Sequence, residues 1–221
     1  MGLDVNAAHL TCGAAGGYLI GSLSFAILVA KAKGVDIRTV GSGNPGATNV
    51  KRALGKGAGN FVFLLDFLKG FLPALLPFLI LEAGAVPVSI CSLLAAILGH
   101  SFPLYYGFKG GKGVATTMGG LFALMPVIML IGILAWVLLF YSLRVVSIAS
   151  IGFGVVLPIA AWAIDLWKSA WFVNILGQIG TEPERQLEVW FAGAISLLIL
   201  IRHRSNILRL LRGEELSFKK K

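Results

Sequence analysis

From Leu10 to Ala30 the chain runs 21 residues without a charged side chain. About 20 apolar residues carry an α-helix across the hydrocarbon of a bilayer, and a backbone in lipid must satisfy its own hydrogen bonds. The run therefore demands a membrane helix and makes the rest of the chain a membrane protein. Further apolar stretches follow at Gly59 to Leu81, Val86 to Phe102, Thr116 to Tyr141, Val145 to Asp165 and Leu187 to Ile201. With 57% hydrophobic and 13% charged residues, there is more apolar side chain than one water-soluble core could hide. No Lys or Arg precedes Leu10, so the positive region of a cleavable signal peptide is missing and the first span is expected to be retained.

Six simple spans would place the basic stretch Lys31 to Lys56 and the basic tail from Arg202 on opposite sides, against the tendency of Lys and Arg to stay cytoplasmic. A fold-back resolves this. Pro126 lies near the middle of Thr116 to Tyr141, where it removes a donor and clashes with the preceding turn, and Gly119 and Gly120 loosen the start. The expected architecture is all-α and polytopic, with about seven membrane helices. Five are full spans and two are half-length helices forming a re-entrant pair, with the N-terminus outside and the C-terminus inside. Residues 1–221 form one membrane domain. On this plan all but Lys69, Lys168 and Arg185 of the 19 basic residues are cytoplasmic, which also accounts for the net charge of +9 without nucleic acid. Six ordinary spans are the alternative.

Three polar segments interrupt the apolar background. The first is Gly41-Ser42-Gly43-Asn44-Pro45-Gly46-Ala47-Thr48-Asn49, trailed by Arg52. Glycine permits positive φ and close approach, so successive amides can converge on an anion; Ser42, Asn44, Thr48 and Asn49 add donors, and the Arg52 guanidinium suits phosphate oxygens. The spacing imitates a dinucleotide-binding fingerprint, but membrane helices flank it where a strand is required. The second runs from His100 through Lys109-Gly110-Gly111-Lys112-Gly113 to Thr116. It brings two ammonium groups to bare amides ahead of a helix N-terminus, and it lacks the Ser/Thr and first glycine of a P-loop. The third runs from Arg202-His203-Arg204-Ser205-Asn206 through Arg212-Gly213 to Glu214-Glu215, and in it His203 and Asn206 stand at i and i+3 on one helix face. Arg209, Arg212 and Lys219 to Lys221 read as a basic tail on anionic lipid. Asp66 and Lys69, also at i and i+3 but inside a span, read as a structural ion pair. Cys12 and Cys91 suggest neither a disulfide framework nor a metal site.

Taken together, Gly-Ser-Gly-Asn-Pro-Gly-Ala-Thr-Asn, Gly-His-Ser-Phe-Pro with Phe-Lys-Gly-Gly-Lys-Gly-Val-Ala-Thr, and Arg-His-Arg-Ser-Asn-Ile resemble the bacterial PlsY family, essentially end to end. The resemblance implies a bacterial inner-membrane enzyme whose site faces the cytoplasm. Such an enzyme moves a fatty acyl group from acyl phosphate to the 1-hydroxyl of glycerol-3-phosphate, giving lysophosphatidic acid and inorganic phosphate. It implies that Ser42, Gly43 and nearby amides cradle the acyl phosphate. Arg52, Lys112, His203 and Asn206 would hold the acceptor, assisted by Thr48 and Asn49. Gly41, Asn44, Gly46, His100, Lys109, Gly110, Gly111, Arg202 and Arg204 complete the expected binding surface. No cofactor is expected. The H-x-x-x-x-D pair of other glycerolipid acyltransferases is absent, since Ala14, Tyr105 and Leu208 follow the three histidines at that spacing. A phosphate-ester transporter or channel is the rival function, and a non-catalytic anion-sensing scaffold is a third.

Overall fold

The structure, a computed structural model, describes residues 6–81, 84–166 and 182–218. Among these every regular element is helical: α1 (Ala7–Gly21), α2 (Phe25–Ala32), α3 (Ala47–Leu54), α4 (Lys56–Ile80), α5 (Ala85–Ser101), α6 (Val114–Leu124), α7 (Pro126–Leu143), α8 (Val146–Leu166), α9 (Glu182–Arg202) and α10 (Arg204–Leu211). They fall into two compact units, Met1–Pro126 and Val127–Lys221. Five segments are long and apolar enough to cross a membrane, and a sixth consists of α9 and α10, bent by 56°. With the short apolar helix α6 this gives the seven membrane segments expected. Lys168, Lys219 to Lys221 and the Arg185 side chain lie outside the described residues.

Two details differ from expectation. The fold-back segment does break between α6 and α7, at Met125 and Pro126, but unevenly. Helix α6 has 11 residues and spans only part of a bilayer, whereas α7 has 18, about 27 Å at 1.5 Å per residue. The half-length description therefore holds for α6 and not for α7. The second difference is in the first span, which is not one continuous helix but breaks between Gly21 and Phe25. Neither glycine nor proline lies within the gap; instead, groups from elsewhere in the first unit bond to the backbone and side chains there. Lys69 Nζ donates to the Leu23 carbonyl at 2.7 Å, and the Ser22 hydroxyl accepts the Leu104 N–H at 3.2 Å.

In the first unit α1 packs on α5 through small residues. A Cβ on Gly17 would meet the Ser92 carbonyl, one on Gly21 the Ala96 carbonyl, and one on Gly99 the Tyr18 carbonyl. Lipid supplies no hydrophobic drive between apolar helices, so this close backbone approach is what gains dispersion energy. The α4 and α6 helices meet in the same way, Gly70 against the Thr116 carbonyl and Gly119 against the Phe67 carbonyl. The rings of Phe67, Phe71 and Phe122, with centroids 5.9–6.1 Å apart, pack beside this contact. Ala26, Ala30, Ile37, Val50 and Val62 form a smaller apolar cluster where α2, α3 and α4 converge.

The Asp66–Lys69 pair is as expected, 2.9 Å apart with both side chains 2% exposed. Lys69 also stands 5.7 Å from the Phe25 ring centroid. One ammonium thus neutralises a buried carboxylate and caps the broken first span, two costs of burying polar groups in lipid met by one side chain.

In the second unit α8 packs against α7 and α9. Gly132 of α7 admits the Phe153 ring, and Gly154 of α8 lies against Ile199 of α9. Trp136 donates its indole N–H to Ser150 at 3.3 Å. Arg144, with φ of 60°, turns the chain from α7 into α8, and its carbonyl accepts the Phe218 N–H at 2.8 Å. The end of the described chain is thereby tied to that turn.

Candidate phosphate-handling site

The loop from Gly41 to Gly46 is shaped by Asn49, the third residue of α3. Its side-chain carbonyl accepts the Ser42 N–H at 3.0 Å, while its amide nitrogen donates to the carbonyls of Ile37 at 3.1 Å and Val40 at 2.9 Å. Asn49 is 1% exposed and its oxygen sits against the Cα of Gly41, where φ is 60°. Both donors of Asn49 thus serve backbone carbonyls, so the residue shapes the cradle from behind.

Gly43, with φ of 68°, lets the chain reverse against the Arg38 carbonyl. Ser42 is half-buried, and its hydroxyl accepts the Asn44 N–H at 3.4 Å. Gly46 is extended and caps α3, with the Asn44 side-chain amide against it. Arg52 lies on the last turn of the same helix, half-buried. The expected residues of this segment are thus gathered on one loop and one short helix.

The second segment folds directly against the first, since the Pro45 carbonyl lies against Gly111. The N–H groups of Gly110 and Gly111 donate to the Ser101 and His100 carbonyls at 3.2 and 3.1 Å, and a Cβ on Gly111 would strike the His100 ring. His100 is 7% exposed, with Nδ1 3.6 Å from the Asp66 carboxylate, so the buried ion pair supports this loop from beneath. Here His100 supports the loop on which Lys112 stands half-buried, with Lys109 exposed beside it. Gly113, with φ of 79°, caps α6, whose N-terminus starts at Val114 as expected.

Sequence reasoning passed over Arg38. Its Nη2 donates to the carbonyls of Tyr106 and Lys109, both at 2.9 Å, joining the two segments across the surface of the unit.

The third segment lies in the second unit. His203 occupies the bend between α9 and α10 and is 2% exposed. Its Nδ1 lies 2.8 Å from the Ile199 carbonyl; a carbonyl only accepts, so Nδ1 carries the proton in the neutral ring and Nε2 has the lone pair. Asn206, 4% exposed, donates to Glu215 at 2.7 Å. Glu215 also accepts from Ser147 at 2.9 Å and from Arg209 at 2.8 Å. Burial would raise this carboxyl's pKa, but the bonds from Asn206, Ser147 and Arg209 outweigh it and hold the group below the ordinary glutamate range. Arg209, read as a lipid-facing cation, is instead engaged with Glu215. Arg202 ends α9 and Arg204 begins α10, half-buried and exposed respectively. Glu215 is a second residue to which sequence reasoning gave no role, because the Glu214-Glu215 pair at the end of a basic tail does not show which acid turns back onto Asn206.

Five membrane-length helical segments with a bent sixth, and glycine-rich loops that bring Ser42 and the Gly110–Gly113 segment together, define a polytopic membrane protein with a polar candidate site. A profile described as glycerol-3-phosphate acyltransferase matches residues 11–213. The chain is 45% identical over 201 residues to the glycerol-3-phosphate acyltransferase of Aquifex aeolicus, covering 91% of this chain and 95% of that one. It is 42% identical over 201 residues to that of Neisseria meningitidis serogroup B, covering 90% and 92%. The crystal structure of PlsY, an integral membrane glycerol 3-phosphate acyltransferase, in its glycerol 3-phosphate form superposes with a TM-score of 0.78 at 41% identity, covering 95% of this chain and 96% of that one. The lysophosphatidic acid form gives 0.77 at 41% identity. The chain belongs to the glycerol-3-phosphate acyltransferase family.

Proposed function

We propose that the protein transfers a fatty acyl group from acyl phosphate to the 1-hydroxyl of glycerol-3-phosphate, releasing lysophosphatidic acid and inorganic phosphate. The observation that supports the reading is the contact of the Ser42-containing loop with the Gly110–Gly113 loop, the Pro45 carbonyl lying against Gly111, in a chain that matches the acyltransferase profile over residues 11–213. Helix N-termini favour anions, and both substrates present phosphate.

Ser42, Gly43 and the adjoining amides receive the acyl-phosphate group. Arg52, Lys112, His203 and Asn206 hold the phosphate of glycerol-3-phosphate, and Thr48, Arg202 and Arg204 add donors and charge. The hydroxyl oxygen attacks the acyl carbon, the bond from that carbon to the bridging phosphate oxygen breaks, and inorganic phosphate leaves with the electron pair. A substrate phosphate oxygen takes the hydroxyl proton. The cations stabilise the charge developing on the leaving group, while positioning two substrates in register removes most of the entropic barrier. The mixed anhydride already has a good leaving group, so no activated protein nucleophile is needed. The basic segments support a site on the cytoplasmic face of the bacterial inner membrane, with the N-terminus outside, because Lys and Arg tend to stay cytoplasmic.

The test is phosphate release by detergent-purified protein given palmitoyl phosphate and glycerol-3-phosphate, beside Ser42→Ala, His203→Ala and a palmitoyl-CoA control. Release that requires both substrates, forms lysophosphatidic acid and is crippled in both variants supports the reading. Folded protein that binds glycerol-3-phosphate without turnover points instead to a transporter.

A further inference from the structure

The turn that carries the second segment away from α5 is held in an unusual backbone conformation. Gly107 and Phe108 are consecutive left-handed residues, with φ of 64° and 59°. Glycine adopts this region freely; a bulky aromatic does so only when its surroundings impose it. Phe108 is 56% exposed, so packing of its ring does not supply that constraint. Three hydrogen bonds do. The Phe108 N–H donates to the Pro103 carbonyl at 3.0 Å, and Arg38 Nη2 donates to the carbonyls on either side of the left-handed pair, Tyr106 and Lys109. A single terminal guanidinium nitrogen uses its two hydrogens on two carbonyls separated by three residues, which fixes the span of the turn.

Arg38 is itself anchored by the first segment. Its N–H donates to the Asp36 carboxylate at 3.0 Å, its carbonyl lies against Gly43, and the carbonyls of Ile37 and Val40 on either side accept from Asn49. The same Asn49 orients the Ser42 amide. A continuous path therefore runs from Ser42 through Asn49 and Arg38 to the Lys109 carbonyl, three residues before Lys112.

We infer that Arg38 is a positioning residue for acyl transfer, fixing the register of the Lys109–Lys112 loop against the Ser42 loop so that the two substrates meet in attack geometry. This rests on the site assignment proposed above. Arg38 need not touch substrate; it acts through the turn. A lysine at this place keeps the charge but loses the planar geometry that serves two carbonyls in one plane.

The experiment compares Arg38→Ala and Arg38→Lys with the unaltered protein and with Ser42→Ala, in detergent, using palmitoyl phosphate and glycerol-3-phosphate. Gel filtration and thermal unfolding establish that each is folded. Displacing one substrate by about 1 Å can cost on the order of 100-fold in rate, so Arg38→Ala is expected to lose roughly 10- to 100-fold in kcat. KM for either substrate should stay within about twofold, because each loop still binds its own phosphate. Arg38→Lys falls between, and added methylguanidine, but not methylamine, restores part of the Arg38→Ala rate. A folded Arg38→Ala with unaltered kcat overturns the inference, as does a loss confined to KM. Where Arg38→Ala fails to fold, Arg38→Lys is decisive, and wild-type kcat in that variant overturns it. An active Ser42→Ala would instead show that the site assignment has failed.

Discussion

Replacing Asn49 separates a residue that holds the cradle from one that holds the substrate. In Asn49→Ala three hydrogen bonds disappear, from the Ser42 N–H and to the Ile37 and Val40 carbonyls, and the side chain that made them is 1% exposed. At about 1 kcal/mol net for each, the loss is about 3 kcal/mol, and more where a freed group stays out of reach of water. Asn49→Asp is the sharper perturbation because it keeps the shape. One oxygen still accepts from Ser42, but the other replaces the amide nitrogen and faces two carbonyls that also only accept. Two attractive contacts become repulsive, so Asn49→Asp is expected to be at least as unstable as Asn49→Ala. Thermal unfolding in detergent, followed through tryptophan emission, reads the stability, and phosphate release over a range of glycerol-3-phosphate reads the site. The expected pattern is a lowered midpoint in both variants, with kcat falling alongside it. A wild-type midpoint with a raised KM for glycerol-3-phosphate would refute this reasoning and return Asn49 to the substrate.

Two other perturbations follow from the buried charges. Asp66→Leu strands the Lys69 ammonium in the membrane interior, a loss of about 3–5 kcal/mol for breaking a buried pair from one side. The double variant Asp66→Leu/Lys69→Met leaves no unpaired charge, and its unfolding midpoint should exceed that of Asp66→Leu; a midpoint equal or lower would show that the pair is not the source of the cost. Glu215 has a pKa below its ordinary value of 4.5, so its contribution to stability is complete above that pH and is lost as pH falls from there through the depressed folded value. The fall in unfolding midpoint between pH 5 and pH 3 should accordingly be smaller in Glu215→Gln than in the unaltered protein, and an identical pH profile would count against the assigned bonds.

The membrane segments were legible because lipid leaves few options for an apolar run, and the break at Pro126 because proline removes a donor whatever surrounds it. The interruption between Gly21 and Phe25 was not, since nothing local forces it; it exists because Lys69, more than forty residues away, satisfies the Leu23 carbonyl. The polar segments announced which groups were present but not how they were occupied. Asn49 carries the same donors whether it binds substrate or backbone, and only the fold shows that the Ile37 and Val40 carbonyls take them. Arg38 and Glu215 were given no role for the complementary reason, since a charge near a loop means little until its partners are known. The lengths of α6 and α7 were misjudged because proline marks where a helix breaks but not how far each half continues.

The interrupted first span also bears on how the chain is made. Until α4 arrives, the Leu23 carbonyl has no Lys69 to meet it, and Lys69 in turn has neither that carbonyl nor a settled Asp66. The apolar length of the N-terminal segment is enough to carry it into lipid alone, but its Leu23 carbonyl stays unsatisfied there until α4 packs beside it. The break in the first span is thus a joint that only the second membrane segment can finish.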